Sequence, residues 1–137
     1  MIRVGVIGYG YWGPNIVRNF RGLEGCEVAG VCDQSPAAQK RLKQAHPDLL
    51  VSANPDDLLT SPDIDAIAVV TPVCSHFELA KAALSNGKHV FMEKPFTATT
   101  QQAEELIELA EKKSLKIMVD HTFLFTCAVP KIRELID

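Results

Sequence analysis

The chain has four cysteines, Cys26, Cys32, Cys74 and Cys127, and no C-x-x-C spacing among them. That pattern favours free, mostly buried thiols in a reducing compartment over a disulfide framework. Four scattered histidines show no zinc-ligand spacing, so no metal is expected. No apolar run approaches the roughly 18 residues that would cross a bilayer. The stretch from Ile2 to Ile7 is only a strand's length and lacks the basic region that precedes a cleavable leader. A marked charge of either sign is missing too: a net −3 over 137 residues gives no reason to expect nucleic acid or an anionic membrane as partner. Repeats, low-complexity segments and linkers are also lacking. What remains, with 47% apolar and 23% charged residues, is the composition of an ordinary globular domain, expected in the cytoplasm and spanning 1–137.

What the chain does have is concentrated at its start. Ile2 to Ile7 reads as a buried strand and runs into Gly8-Tyr9-Gly10-Tyr11-Trp12-Gly13, a G-x-G-x-x-G, then into a helical pattern. A second strand, Glu27 to Cys32, ends on Asp33. Strand, glycine turn, helix, strand and terminal acid in this order form the dinucleotide-binding fingerprint. Gly8 permits the turn, Gly10 lets the backbone approach a pyrophosphate, and Gly13 allows close helix packing. The helix N-terminus presents free N–H groups to the phosphates, and Asp33 would accept hydrogen bonds from ribose hydroxyls. Gln34 stands where an NADP site would carry a phosphate-binding arginine, and Lys40 and Arg41 lie too far along the next helix to compensate. NAD is therefore expected over NADP.

Further along, Ser35-Pro36 predicts a helix to about Ala45, Leu49 to Ser52 a short strand, and Asn54-Pro55 a single turn to Leu59. Asp65 to Val70 is a continuous apolar strand ending at Thr71-Pro72. Ser75-His76-Phe77-Glu78 reads as a capping box opening a helix closed by Asn86-Gly87. His89 to Met92 is a strand, Thr100 to Lys113 an amphipathic helix, Lys116 to Asp120 a sixth strand, and Val129 to Ile136 a last helix. Alternating strands and helices with short connections imply an α/β fold, a doubly wound parallel Rossmann sheet of order 3-2-1-4-5-6.

The glycine motif, Thr71-Pro72, Ser75-His76 with Ala80 in its helix, and Glu93-Lys94-Pro95 after the fifth strand occur together. This combination resembles the amino-terminal domain of the glucose–fructose oxidoreductase/inositol dehydrogenase (Gfo/Idh/MocA) family over the whole chain. The segment from Val119 to Leu135, with His121-Thr122-Phe123, is similar to the branch acting on nucleotide-linked amino sugars. The resemblance implies hydride transfer between a nicotinamide and a sugar or cyclitol carbinol. It places Lys94 beside the nicotinamide and the reacting hydroxyl, with Glu93 holding it or touching the cofactor ribose, and it makes a cis bond before Pro95 plausible. Thr71, Pro72 and His76 would line the adenosine-to-ribose stretch, and His121 would face the nicotinamide end as a possible catalytic group. Asp120 departs from the small residue common in the family at that point and would change the charge there.

The family's second domain, which supplies the substrate pocket and the acid–base histidine, has no counterpart in these 137 residues. The chain is thus expected to be the cofactor-binding half, able to bind NAD with little or no turnover. The alternative is a non-catalytic nucleotide-binding module that self-associates through the apolar segment from Ile117 to Ile136; a third is a small reductase completed by a dimer partner. Each candidate also has an ordinary reading. Lys94 is a solvated lysine, His76 a first-turn helix residue, and Trp12 a cover for the core. His46 and His89 are structural.

Overall fold

A computed structural model of the protein describes residues 1–136. The strands are β1 (Ile2–Ile7), β2 (Cys26–Cys32), β3 (Leu50–Ser52), β4 (Ala66–Val69), β5 (His89–Met92) and β6 (Ile117–Val119). The helices are α1 (Gly13–Arg21), α2 (Pro36–Ala45), α3 (Asp56–Leu59), α4 (His76–Ser85), α5 (Thr100–Lys112) and α6 (Ala128–Ile136). All strand pairings are parallel and the order is β3-β2-β1-β4-β5-β6, as the alternation of elements predicts. Residue 137, the last of the expected domain, lies outside the described residues.

Because helices cover both faces, the interior strands are apolar throughout rather than alternating. One face packs Ile67, Val69, Val90 and Met92 against Ala80, Ala83 and Leu84 of α4 and Leu106 and Ala110 of α5. The other packs Val4, Val6, Val28 and Val31 against Ile16 and Val17 of α1 and Ala38 and Leu42 of α2. Phe20 of α1 meets Phe91 of β5 edge-to-face at 5.4 Å, tying this second layer across the sheet.

Local chemistry sets the start of α2 as expected. Ser35 caps α2 by accepting the Ala38 N–H, with Pro36 as first residue. The capping box at Ser75 does not form. A 3₁₀ turn, Val73–Ser75, runs straight into α4, so the Ser75 backbone is already helical (φ −102°, ψ −6°). Its hydroxyl turns back instead, to 2.7 Å from Thr71 Oγ1 and 2.9 Å from the Pro72 carbonyl. The sequence pattern predicts a first helix from about Tyr11 to Leu23; α1 is shorter, since the loop keeps Tyr11 and Trp12 and the helix ends by Gly22. The cysteines are free, but Cys74 and Cys127 are exposed, against the expectation of mostly buried thiols. Cys74 lies in the turn leading to α4, and Cys127 adjoins an α6 with no buried residue.

Candidate dinucleotide-binding site

The site lies at the carboxyl ends of β1, β2 and β4, where the strand order reverses and a crevice opens. Gly8 leaves β1 with φ +104°, and a Cβ there would stand 2.5 Å from the Val70 carbonyl oxygen. Only glycine avoids both the strain and the collision. Gly13 opens α1, where a Cβ would meet the Gly8 carbonyl oxygen at 2.6 Å. Its necessity therefore comes from closure of the loop on itself more than from helix-on-strand packing. At Gly10 the opposite holds: a Cβ would meet nothing within 4 Å. The loop thus offers bare backbone to an open cavity of about 550 Å³, next to the N-terminus of α1. That geometry fits a pyrophosphate.

Asp33 ties this cradle to β2. Its Oδ2 accepts the Tyr9 N–H at 2.6 Å and its Oδ1 the Ser35 N–H at 2.8 Å. Each oxygen retains acceptor capacity, and Asp33 lines the cavity. Cys32 forms part of the same wall; burial, with the Asp33 and Asp57 charges, pushes its thiol up to about 11, so it remains neutral. Across the cavity stand Val70, Thr71, Pro72, Cys74, Glu78 and Leu79.

The expected residues divide. Gly8, Gly10, Asp33, Thr71 and Pro72 line one cavity. Tyr9 contributes backbone only, its side chain being buried among Val6, Ile16 and Val31. Tyr11 and Trp12 stand out from the loop as an edge-to-face pair 5.3 Å apart, Trp12 at 48% exposure. His76 is not part of the cavity wall. It is 1% exposed, with Nε2 2.8 Å from the Thr71 carbonyl and Nδ1 2.9 Å and 3.3 Å from those of Pro95 and Phe96. The ring braces the loop after β4 against the loop after β5. Glu93, Lys94 and His121 gather at the carboxyl ends of β5 and β6, beyond this cavity. Glu93 is 8% exposed, whereas Lys94 and His121 face outward. The Lys94–Pro95 bond is cis.

Arg41, expected to lie too far along α2 to matter, does reach the loop: its long side chain lets Nη2 donate to the Tyr9 carbonyl at 3.3 Å. Other residues of the wall escape the sequence reading as site residues. Cys74, Glu78 and Leu79 enter the wall through the 3₁₀ turn, which the assumed capping box concealed.

Fold and site together define a dinucleotide-binding Rossmann domain. A family model described as "Oxidoreductase family, NAD-binding Rossmann fold" (GFO_IDH_MocA) matches residues 2–121, and the chain belongs to that family. It is 30% identical over 133 residues to a UDP-N-acetylglucosamine 3-dehydrogenase of Acidithiobacillus ferrooxidans, covering 97% of this chain and 41% of that one. Among solved structures, scyllo-inositol dehydrogenase of Lactobacillus casei with bound NAD(H) and scyllo-inositol superposes with TM-score 0.88 at 25% identity, covering 100% of this chain and 41% of that. Biliverdin reductase of Synechocystis with biliverdin and NADP+ gives 0.90 at 28% identity, covering 97% and 42%. The chain spans between 23% and 41% of the length of curated relatives it matches. No described helix is long and apolar enough to cross a membrane.

Proposed function

We propose that this chain binds NAD in preference to NADP and forms the cofactor half of a dehydrogenase acting on a sugar, cyclitol or nucleotide-linked sugar. The observation that carries this reading is the Gly10 cradle joined to Asp33: bare backbone for a pyrophosphate, with a carboxylate beside it for two ribose hydroxyls. A 2′-phosphate placed there would meet that carboxylate, which supports NAD. Arg41 is held on the Tyr9 carbonyl and is not in the cavity wall.

The bound nicotinamide would supply hydride acceptance or donation. This chain's residues bind and orient: backbone N–H groups of Gly10 to Gly13 take the phosphates, Asp33 the adenosine ribose, and Thr71 and Pro72 the crevice wall. Lys94, exposed at the carboxyl end of β5, presents an ammonium that can stabilise charge on a carbinol oxygen. The inositol and nucleotide-sugar dehydrogenases among the relatives support the substrate class. Alone, the chain is expected to bind cofactor and turn over little. Incubating it with NAD+ and a panel of cyclitols and UDP-sugars tests this, binding being followed in parallel. Binding without steady NADH formation is the expected result; turnover at the rate of an intact dehydrogenase would refute it.

A second reading is favoured by the segment from Thr122 to Ile136, where Phe123, Phe125, Leu135 and Ile136 are each more than 70% exposed. A second copy of the chain would cover it. Sedimentation of the protein at rising concentration checks this: a strictly monomeric species counts against self-association.

A further inference from the structure

We propose that Arg41 is a positioning residue for the cofactor phosphates: from outside the cavity it holds the Tyr9–Gly10 peptide so that the Gly10 N–H points inward. The inference rests on the cofactor reading above and adds to it a residue that itself touches neither cofactor nor substrate.

Tyr9 is anchored on one side already. Its N–H donates to Asp33 Oδ2 at 2.6 Å, and its ring is buried in the layer that contains Val6, Ile16 and Val31. Just before it, the Gly8 N–H donates to the Cys32 carbonyl at 2.8 Å. These contacts leave open ψ of Tyr9, the rotation that turns the next peptide plane. Gly10 does nothing to restrain it, having no side chain and open space where a Cβ would stand.

Arg41 closes this freedom. Its Nη2 donates to the Tyr9 carbonyl at 3.3 Å. In a planar trans peptide the C=O and the following N–H point in opposite directions. Holding the Tyr9 carbonyl on Arg41 therefore aims the Gly10 N–H the other way. Gly10 lines the cavity and Arg41 does not, so the other way is inward. Among the described residues the Gly10 N–H has no backbone acceptor, which leaves it for a phosphate oxygen.

The placement of the arginine is built into α2. Ser35 caps that helix, Ala38 and Leu42 bury it on the sheet, and Gln39 Nε2 donates to the Asp33 carbonyl at 2.8 Å. Asp33 thus takes the N–H of Tyr9 and Arg41 its C=O, and helix, acid and loop form one linked unit. A cation on α2 close to Asp33 could instead serve the 2′-phosphate of NADP. Engaged on the loop backbone, it serves the pyrophosphate that both coenzymes share.

The test compares wild type with Arg41→Ala, by calorimetric titration with NADH and NADPH and by NMR relaxation of backbone amides without nucleotide. Arg41→Ala is expected to weaken NADH by roughly three- to tenfold, as loss of one ordering hydrogen bond would, and NADPH by the same factor. The loss should persist from about 0.05 M to 0.5 M salt, since a cation acting only through space would be screened. The unfolding midpoint should barely move, while the Gly10 N–H, and not that of Gly8, gains fast mobility. A loss confined to NADPH would make Arg41 a 2′-phosphate ligand and overturn the proposal. So would a loss that vanishes at high salt, or NADH affinity and Gly10 mobility unchanged in the variant. If wild type binds neither nucleotide, the cofactor reading fails and the phosphate role with it; the Gly10 relaxation still decides whether Arg41 orders this peptide.

Discussion

Replacing Asp33 with asparagine perturbs one charge with little change of shape. The carboxylate accepts the Tyr9 N–H at 2.6 Å and the Ser35 N–H at 2.8 Å, so it holds the glycine loop, and in the function proposed above it also takes the adenosine ribose. Asparagine keeps one acceptor, but its NH₂ must face the other N–H. Hydrogen bonds to a charged acceptor contribute about 1.5–3 kcal/mol, so loss of one should destabilise the fold by about 1–3 kcal/mol. NADH loses one ribose contact and should weaken about 10- to 100-fold. NADPH loses a repulsion as well. A unit charge some 4 Å from a phosphate is worth between about 1 and 4 kcal/mol, depending on how much water intervenes. The NADPH-to-NADH affinity ratio should therefore rise at least about fivefold even at the lower end. The assay is a pair of titrations on wild type and Asp33→Asn, with thermal unfolding as a fold control. Equal weakening of both nucleotides, with the fold intact, would refute the claim that Asp33 selects the coenzyme.

Further outcomes follow from the same geometry. Gly8→Ala should destabilise by about 2–5 kcal/mol, through the positive φ and a Cβ 2.5 Å from the Val70 oxygen, and abolish cofactor binding; chemical denaturation checks it. Gly10→Ala, with nothing within 4 Å of its Cβ, should leave stability within about 0.5 kcal/mol yet weaken nucleotide binding at least about tenfold. His76→Ala should cost about 3–5 kcal/mol in unfolding measurements, because a fully buried ring bracing two loops leaves a cavity and orphaned carbonyls. The Glu93 carboxyl is raised in the folded state, so the native protein binds more protons than the unfolded chain above the unfolded carboxyl pKa of 4.5. Stability should fall as pH rises from there through the folded-state pKa, and Glu93→Gln should remove that fall in a pH series of unfolding midpoints.

Much of this was legible in the chain because glycine and proline carry steric information that does not depend on context. The turn at Gly8, the acid at the end of β2, the sheet order and the proline-marked starts of α2 and α3 follow from local rules. Three features did not, each for a physical reason. Ser75 could satisfy its hydroxyl behind itself as well as ahead, and the 3₁₀ turn decided the matter, bringing Cys74 and Glu78 into the cavity wall. Arg41 reads from its place along α2 as too far from the site, and only the packing of that helix shows its long side chain reaching Tyr9. His76 was placed correctly at the start of α4, but what its ring would face depended on the loop after β5, nineteen residues away.

Trp12 allows the central claim to be tested directly. It stands in the glycine loop at 48% exposure and is the single tryptophan of the chain. Exciting it while titrating with NADH should give saturable quenching and energy transfer to the nicotinamide, with a Kd below about 1 mM. The same titration of Asp33→Ala should show no saturation. Wild-type fluorescence that neither NADH nor NADPH changes, on a protein shown to be folded, would contradict the assignment of this loop as a cofactor site.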